Sequence, residues 1–263
     1  MVYLFLLFLF SFAVSSAYGD ENALENRQPL ELVFADSIVP QGRHETMLTT
    51  GGWYSRHGRI HRALLTQKVE FGITDQFQIS TFMELLNSTN ESGSRKTGIG
   101  DLEIGARYTW PELLSPFTHL ALAFEAGFPT GNARRGLGEG AYSISPSLLF
   151  SHEFEEAKYQ LFFSTGIELI TKHRRVDDVP RHSLFFNGGL SRRTGPGWIV
   201  GEISVSSDEW NRGKETLAAL TPSYVWRVTP RAELLVGVPI GLTSSTDRVG
   251  AVMKFTFELG GED

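Results

Sequence analysis

The sequence predicts an all-β protein, an up-and-down antiparallel transmembrane β-barrel of about 12 strands. Three observations predict it. Apolar side chains recur at every second position along segment after segment, as in strands with one apolar face. The connections between segments are alternately short and long, the asymmetry of barrels with periplasmic turns and extracellular loops. Beyond the first apolar run no stretch approaches the length of a membrane helix, so a spanning chain must close into a barrel.

Residues 1–19 read as a secretory signal peptide. Val2 to Val14 is almost continuously apolar, and the small residues Ser15, Ser16, Ala17 and Gly19 follow. Residues 20–42 are mostly polar, contain Pro29 and Pro40, and read as a periplasmic N-terminal arm. The barrel is expected over residues 43–263. A net charge of −6 gives no basic surface for nucleic acid. The absence of cysteine excludes a disulfide scaffold, a thiol nucleophile and a zinc–thiolate site.

The strands follow in order. The first lies near Glu45 to Ser55. Ala63 to Ile73 places Ala63, Leu65, Val69, Phe71 and Ile73 on one face, with Thr66, Lys68 and Glu70 on the other. "TDQ" turns the chain into Phe77 to Leu86, and the long polar loop "NSTNESGSRKTG" follows. In "GDLEIGARYTW", Leu102, Ile104, Ala106, Tyr108 and Trp110 alternate with Asp101, Glu103, Gly105, Arg107 and Thr109. Thr118 to Phe128 sets Leu120, Leu122, Phe124 and Phe128 against His119 and Glu125. After the loop "PTGNARRGLGEG", Tyr142, Ile144, Leu148 and Phe150 form the next apolar row. Tyr159 to Leu169, Leu184 to Leu190, Ile199 to Val205 and Ala218 to Trp226 continue the pattern. Leu234 to Ile240 and Ala251 to Leu259 complete it.

The apolar face is expected to meet lipid. Trp110, Tyr159, Trp198 and Trp226 stand beside short turns, with Tyr108 one step further in, as in an interfacial aromatic girdle. The opposite face supplies the expected lumen lining: Lys68, Glu70, Glu84, Glu103, Arg107, His119, Glu125, Glu168, Glu202, Glu233, Lys254 and Glu258. Eight acids against three bases make that interior negative. Strand glycines such as Gly105, Gly127, Gly166 and Gly189 are read as relief for the bending of the wall.

"VEFGITDQFQIS" (Val69 to Ser80), "GIGDLEIGARYTW" (Gly98 to Trp110) and "FEAGFPTGN" (Phe124 to Asn132) resemble the outer-membrane proteins grouped with the MetA pathway of phenol degradation. The resemblance runs from about Pro40 to the last strand. It implies an outer-membrane barrel that passes hydrophobic or aromatic compounds, and it carries over no catalytic residues.

The expected function is therefore a channel or transporter for small compounds in the bacterial outer membrane. Its partners would be membrane lipid and small solutes, with no cofactor, no metal and no enzymatic role. Two alternatives stand beside it. A barrel-borne lipid hydrolase would use His182, Ser183 and Asn187, although adjacent His and Ser point to opposite faces of a strand. A secreted soluble β-sandwich would turn the apolar rows inward. His57 and His61 as a metal pair, Asp177 and Asp178 as a calcium site, and "GLGEG" as a phosphate loop lack the surrounding elements such sites need. The matches at Asn87 and Asn90 to glycosylation sequons apply only to a eukaryotic secreted chain.

Overall fold

The computed structural model of the chain describes residues 28–38, 41–57, 60–91, 94–115, 117–135, 137–138, 140–154, 158–171, 181–209 and 215–260. The expected signal peptide, the first part of the expected arm and Asp177 and Asp178 lie outside the described residues.

Alternating sequence becomes antiparallel wall. Strands β1 (Thr46–His57), β2 (Ile60–Gly72) and β3 (Phe77–Glu91) lead to β4 (Ser94–Gly98) and β5 (Leu102–Ser115). Then come β6 (Thr118–Phe128), β7 (Ser143–Phe154), β8 (Tyr159–Ile170), β9 (His182–Thr194), β10 (Gly197–Asp208) and β11 (Glu215–Thr229). Strands β12 (Ala232–Gly237), β13 (Ile240–Gly241) and β14 (Val249–Leu259) finish the chain. Strands pair antiparallel in sequence order, with β3 passing to β5 and β12 to β14, and β1 closes the ring on β14 from Thr46↔Leu259 to Arg56↔Val249. The short β4 precedes β5 along one strand, and β13 continues β12, so the wall is a closed barrel of twelve strands. No helix among the described residues is long and apolar enough to cross a membrane.

The outer surface is the apolar one. Ile104, Leu122, Phe124, Leu161, Leu190, Ile199, Leu220, Val236 and Met253 are all exposed, Leu122 at 51% and Ile199 at 55%. Their strand neighbours Arg107, Glu202, Glu233 and Thr256 are buried. This inverts a soluble sandwich, in which Leu122 and Ile199 would be sealed away from solvent. Rings stack along the outer face, with Phe150 and Phe163 centroids 5.0 Å apart and Phe186 a further 6.1 Å along.

Two of the motif stretches meet at the long-loop end. Asp101 breaks the strand between β4 and β5 and accepts the Gly131 N–H at 2.7 Å, while Thr130 Oγ1 accepts the Leu102 N–H at 2.9 Å. "GIGD" and "PTGN" are thus two halves of one loop anchor. A second interruption falls at 238–239, between β12 and β13. There Pro239 supplies no donor, and the Val238 N–H reaches the Pro222 carbonyl at 3.0 Å.

Strand glycines have a different cause from the one expected. Gly189 faces inward opposite Glu202 and Phe162. A Cβ there would stand 2.2 Å from the Gly201 carbonyl and 2.8 Å from the Phe162 ring. Close approach of neighbours, rather than bending alone, excludes a side chain.

Candidate functional site

The barrel interior is occupied by the chain's own N-terminal residues. Residues 20–42 were expected to be a periplasmic arm; the described part, from Gln28 onward, instead runs up inside the wall and returns. The physical reason is composition. Leu30, Leu32, Val33, Ala35 and Ile38 are buried, and a segment this apolar gains by leaving water.

The segment enters at the short-turn end. Gln28 donates through Nε2 to Glu153 and accepts from Gln160 Nε2. Arg227 Nη2 donates to the Gln28 carbonyl at 3.2 Å, and Arg227 Nε donates to Glu233 Oε1 at 2.9 Å. Glu233 Oε2 accepts the Leu30 N–H at 2.7 Å. At the apex three consecutive N–H groups converge on one carboxylate. Val33 donates to Glu202 Oε1 at 2.7 Å, and Phe34 and Ala35 donate to Oε2 at 2.9 and 3.0 Å. The two limbs are tied together by Ser37 Oγ donating to the Pro29 carbonyl at 3.0 Å.

The returning limb follows the opposite wall. Arg107 donates through Nη1 to the Ser37 carbonyl, and Thr109 Oγ1 donates to the Ile38 carbonyl at 3.3 Å. The Gln41 N–H reaches Gln78 Oε1 at 3.1 Å. The His44 N–H meets the Gly72 carbonyl at 2.8 Å, and the Arg43 N–H meets Asp75 at 3.1 Å in the first short turn. Both limbs therefore end at the short-turn end of the barrel.

The interior holds two kinds of surface. One sector is apolar: Phe162, Trp198, Val200, Val225, Leu235 and Val252 pack against Leu32, Val33 and Ala35. The other is ionic. Glu31 bridges Lys254 at 2.9 Å and Lys68 at 3.3 Å. Lys68 also reaches Asp36 and Glu70, each at 3.2 Å. Gln78 Nε2 donates to Glu70 at 2.7 Å, and Arg107 Nη2 donates to Gln78 Oε1 at 2.8 Å. Lys68 and Lys254 both draw on the Glu31 carboxylate, so these ion pairs tie the segment to two parts of the wall.

The twelve lumen residues take several positions. Lys68, Glu70, Arg107, Glu202, Glu233 and Lys254 hold the N-terminal segment or its immediate supports. Glu125 borders a cavity of about 20 Å³ with Asp36, Lys68 and Arg107. His119 stands 3.8 Å from Glu153 at the short-turn end. Glu168 lies opposite Ser183, and Glu258 opposite buried Met47. Glu84 and Glu103 lie toward the long loops, Glu103 alternating with exposed Ile104.

Of the five girdle residues, four face outward. Tyr108 and Trp110 meet edge-on at 4.8 Å, Tyr159 lies under Arg192 at 5.7 Å, and Trp226 is exposed. Trp198 is a correction: it is 4% exposed, inside the barrel, with the Arg227 guanidinium 4.7 Å from its ring. Its parity opposite to Ile199 was the available signal. Arg227, Gln78, Glu31 and Asp36 were missed, because their partners are remote in sequence.

The other candidate chemistry is not assembled. Ser183 is buried on the inner side, whereas His182 precedes it on the opposite face of β9. His61 Nδ1 is 2.6 Å from the Tyr54 hydroxyl, and the His57 side chain lies outside those described. Among the described residues no group of three His, Cys, Asp or Glu could hold a metal.

The segment carries a pH response. Burial pushes the Glu31 carboxyl up, but the Lys254 and Lys68 ammonium groups outweigh it and hold the pKa below its ordinary 4.5. A carboxylate whose folded value is depressed stabilises the seated segment above the ordinary value and loses that contribution as pH falls below it. Conductance across a bilayer should therefore rise reversibly as pH falls below the ordinary carboxylate value. Glu31→Gln should conduct more at neutral pH and show a smaller acid-dependent increment.

Residues 34–258 match the sequence family described as "Putative MetA-pathway of phenol degradation". Comparison with curated proteins gives no match. Among solved structures, the chain is similar to the COG4313 outer membrane channel from Pseudomonas putida F1. The identity is 12% and the TM-score 0.71, over 87% of this chain and 100% of that one. It is also similar to the NanC porin, at 11% identity and TM-score 0.56, over 81% of this chain and 100% of that one. The KdgM porin matches at 9% identity and TM-score 0.50, over 81% of this chain and 99% of that one. At such identities the likeness is one of fold.

Proposed function

The chain belongs to the family of the MetA pathway of phenol degradation, and from that premise we propose that it is an outer-membrane channel for small hydrophobic or aromatic compounds, closed at rest by its own residues 28–38. The observation that carries this reading is the combination of an apolar outer wall with an interior that is partly apolar and filled by a segment held through Glu202. A barrel built only as a scaffold has no need for an interior sector of this kind.

Solute would enter from the long-loop end, above the apex of the segment. Passage is diffusion. It runs along the lumen when the segment shifts, or sideways at 238–239, where the ladder is interrupted beside the upper cavity. Direct outward transfer suits apolar compounds because the wall beside the gap is apolar outside, at Val236, Val238 and Ile240.

Uptake of the apolar dye N-phenyl-1-naphthylamine by intact Gram-negative cells tests this. Cells producing the chain should take up the dye several-fold faster than cells producing an equal amount of an assembled control barrel. Equal rates would contradict the proposal.

A further inference from the structure

A cavity of about 230 Å³ lies on the long-loop side of the apex. Its base is aromatic: Phe34 and Trp53 meet edge-to-face at 5.5 Å and 67°. Leu217 and Ala219 of β11 form an apolar side, and Ser55, Ser204 and Arg62 form a polar one. Arg62 stands directly across from Ser55 on the paired strands β1 and β2. Among the described residues no carboxylate lies within ion-pair distance of the Arg62 guanidinium, which is exposed to the cavity. The acid at this level, Asp247, already accepts a hydrogen bond from Ser55 Oγ, and Ser204 Oγ donates to Asn187 at 2.7 Å.

We infer that this cavity binds a single-ring aromatic carboxylate, its ring against Phe34 and Trp53 and its carboxylate on Arg62. The inference deepens the channel reading and rests on it, since the cavity is the solute's first station. Its volume is below the roughly 300–1,000 Å³ of drug-sized pockets and suits one ring with a small substituent. The two rings offer the offset and edge contacts that an aromatic guest prefers. A planar guanidinium matches a carboxylate with two parallel hydrogen bonds. The field fixes the orientation. Glu202 stands at the apex and Glu31 and Asp36 on the limbs, so the guest's negative end is held up at Arg62 and its ring points down. A neutral hydrocarbon would leave the guanidinium facing an apolar guest. An aromatic amine would meet Arg62 as a like charge.

The test is calorimetric titration of the purified full chain with benzoate, benzamide and benzylamine, ligands of one size and three charges. Benzoate should bind at least tenfold more tightly than benzamide, and benzylamine more weakly than either. Arg62→Gln should bring benzoate down to the level of benzamide, with benzamide unchanged. Arg62→Lys, which keeps the charge and loses the fork, should fall between and serves if Arg62→Gln does not fold. Trp53→Ala should weaken all three ligands. Equal binding of benzoate and benzamide, benzoate affinity unaffected at Arg62, or no binding at all would overturn the inference. Dye uptake measured on the same variants separates the two claims. Uptake without a benzoate preference removes the binding site alone, whereas a benzoate preference without uptake removes the channel.

Discussion

Replacing Glu202 with alanine is expected to open the barrel. The Glu202 carboxylate is fully buried and takes three successive backbone N–H donors, from Val33, Phe34 and Ala35. Hydrogen bonds to a charged group are each worth about 1.5–3 kcal/mol, and buried donors left without a partner cost about 1–3 kcal/mol apiece. Even with strong non-additivity, the seated segment should lose on the order of 3–6 kcal/mol, a shift of about a hundredfold or more towards the open lumen. Apolar contacts of Leu32, Val33 and Ala35 with Val200, Val225 and Leu235 remain and keep the variant assembled. In planar bilayers Glu202→Ala should show larger and longer openings than the unaltered chain. Glu202→Gln keeps one acceptor oxygen and should fall between. Neither variant should lose heat-resistant barrel mobility on gels.

The second large effect is expected on the outer wall. Leu122 sits mid-strand in β6 and is 51% exposed. A charge on the lipid face at mid-depth costs about 2–4 kcal/mol, so Leu122→Arg should reduce or abolish assembly into lipid. The next residue, Ala123, faces inward and packs against the cluster of Ile38, Ala121 and Leu149. Ala123→Ser adds one hydroxyl at an inward position away from lipid and should assemble normally. Urea unfolding of both variants in lipid vesicles reads the difference directly.

These expectations show which parts of the molecule the sequence could reveal. Alternation in Leu102–Trp110 is a local property, and it correctly assigned outer and inner faces because one side carries Glu103 and Arg107 while the other is apolar. The alternation of short and long connections likewise gathers the longer connections at one end of the barrel. The filled lumen was not legible, since it depends on pairs remote in sequence. Val33 meets Glu202 across a separation of 169 residues, and Glu31 meets Lys254 across 223. Lys68 and Lys254 were recognised as interior cations, yet nothing local says that Glu31 and Asp36 satisfy them. Trp198 stands beside a turn as the outward aromatics do, but its parity against exposed Ile199 sends it inward. The inward apolar residues Val225 and Leu235 stood between outward ones, and only the buried face of Leu32 and Val33 explains them.

The central claim is that residues 28–38 close a barrel whose wall alone would conduct. Single-channel recording of the chain lacking those residues, beside the full chain at the same ionic strength, tests it most directly. Removal should convert brief, small events into a sustained current that favours cations, because Glu202, Glu233, Glu125 and Glu103 then face open water. A truncated barrel that inserts and conducts no more than the full chain would contradict it.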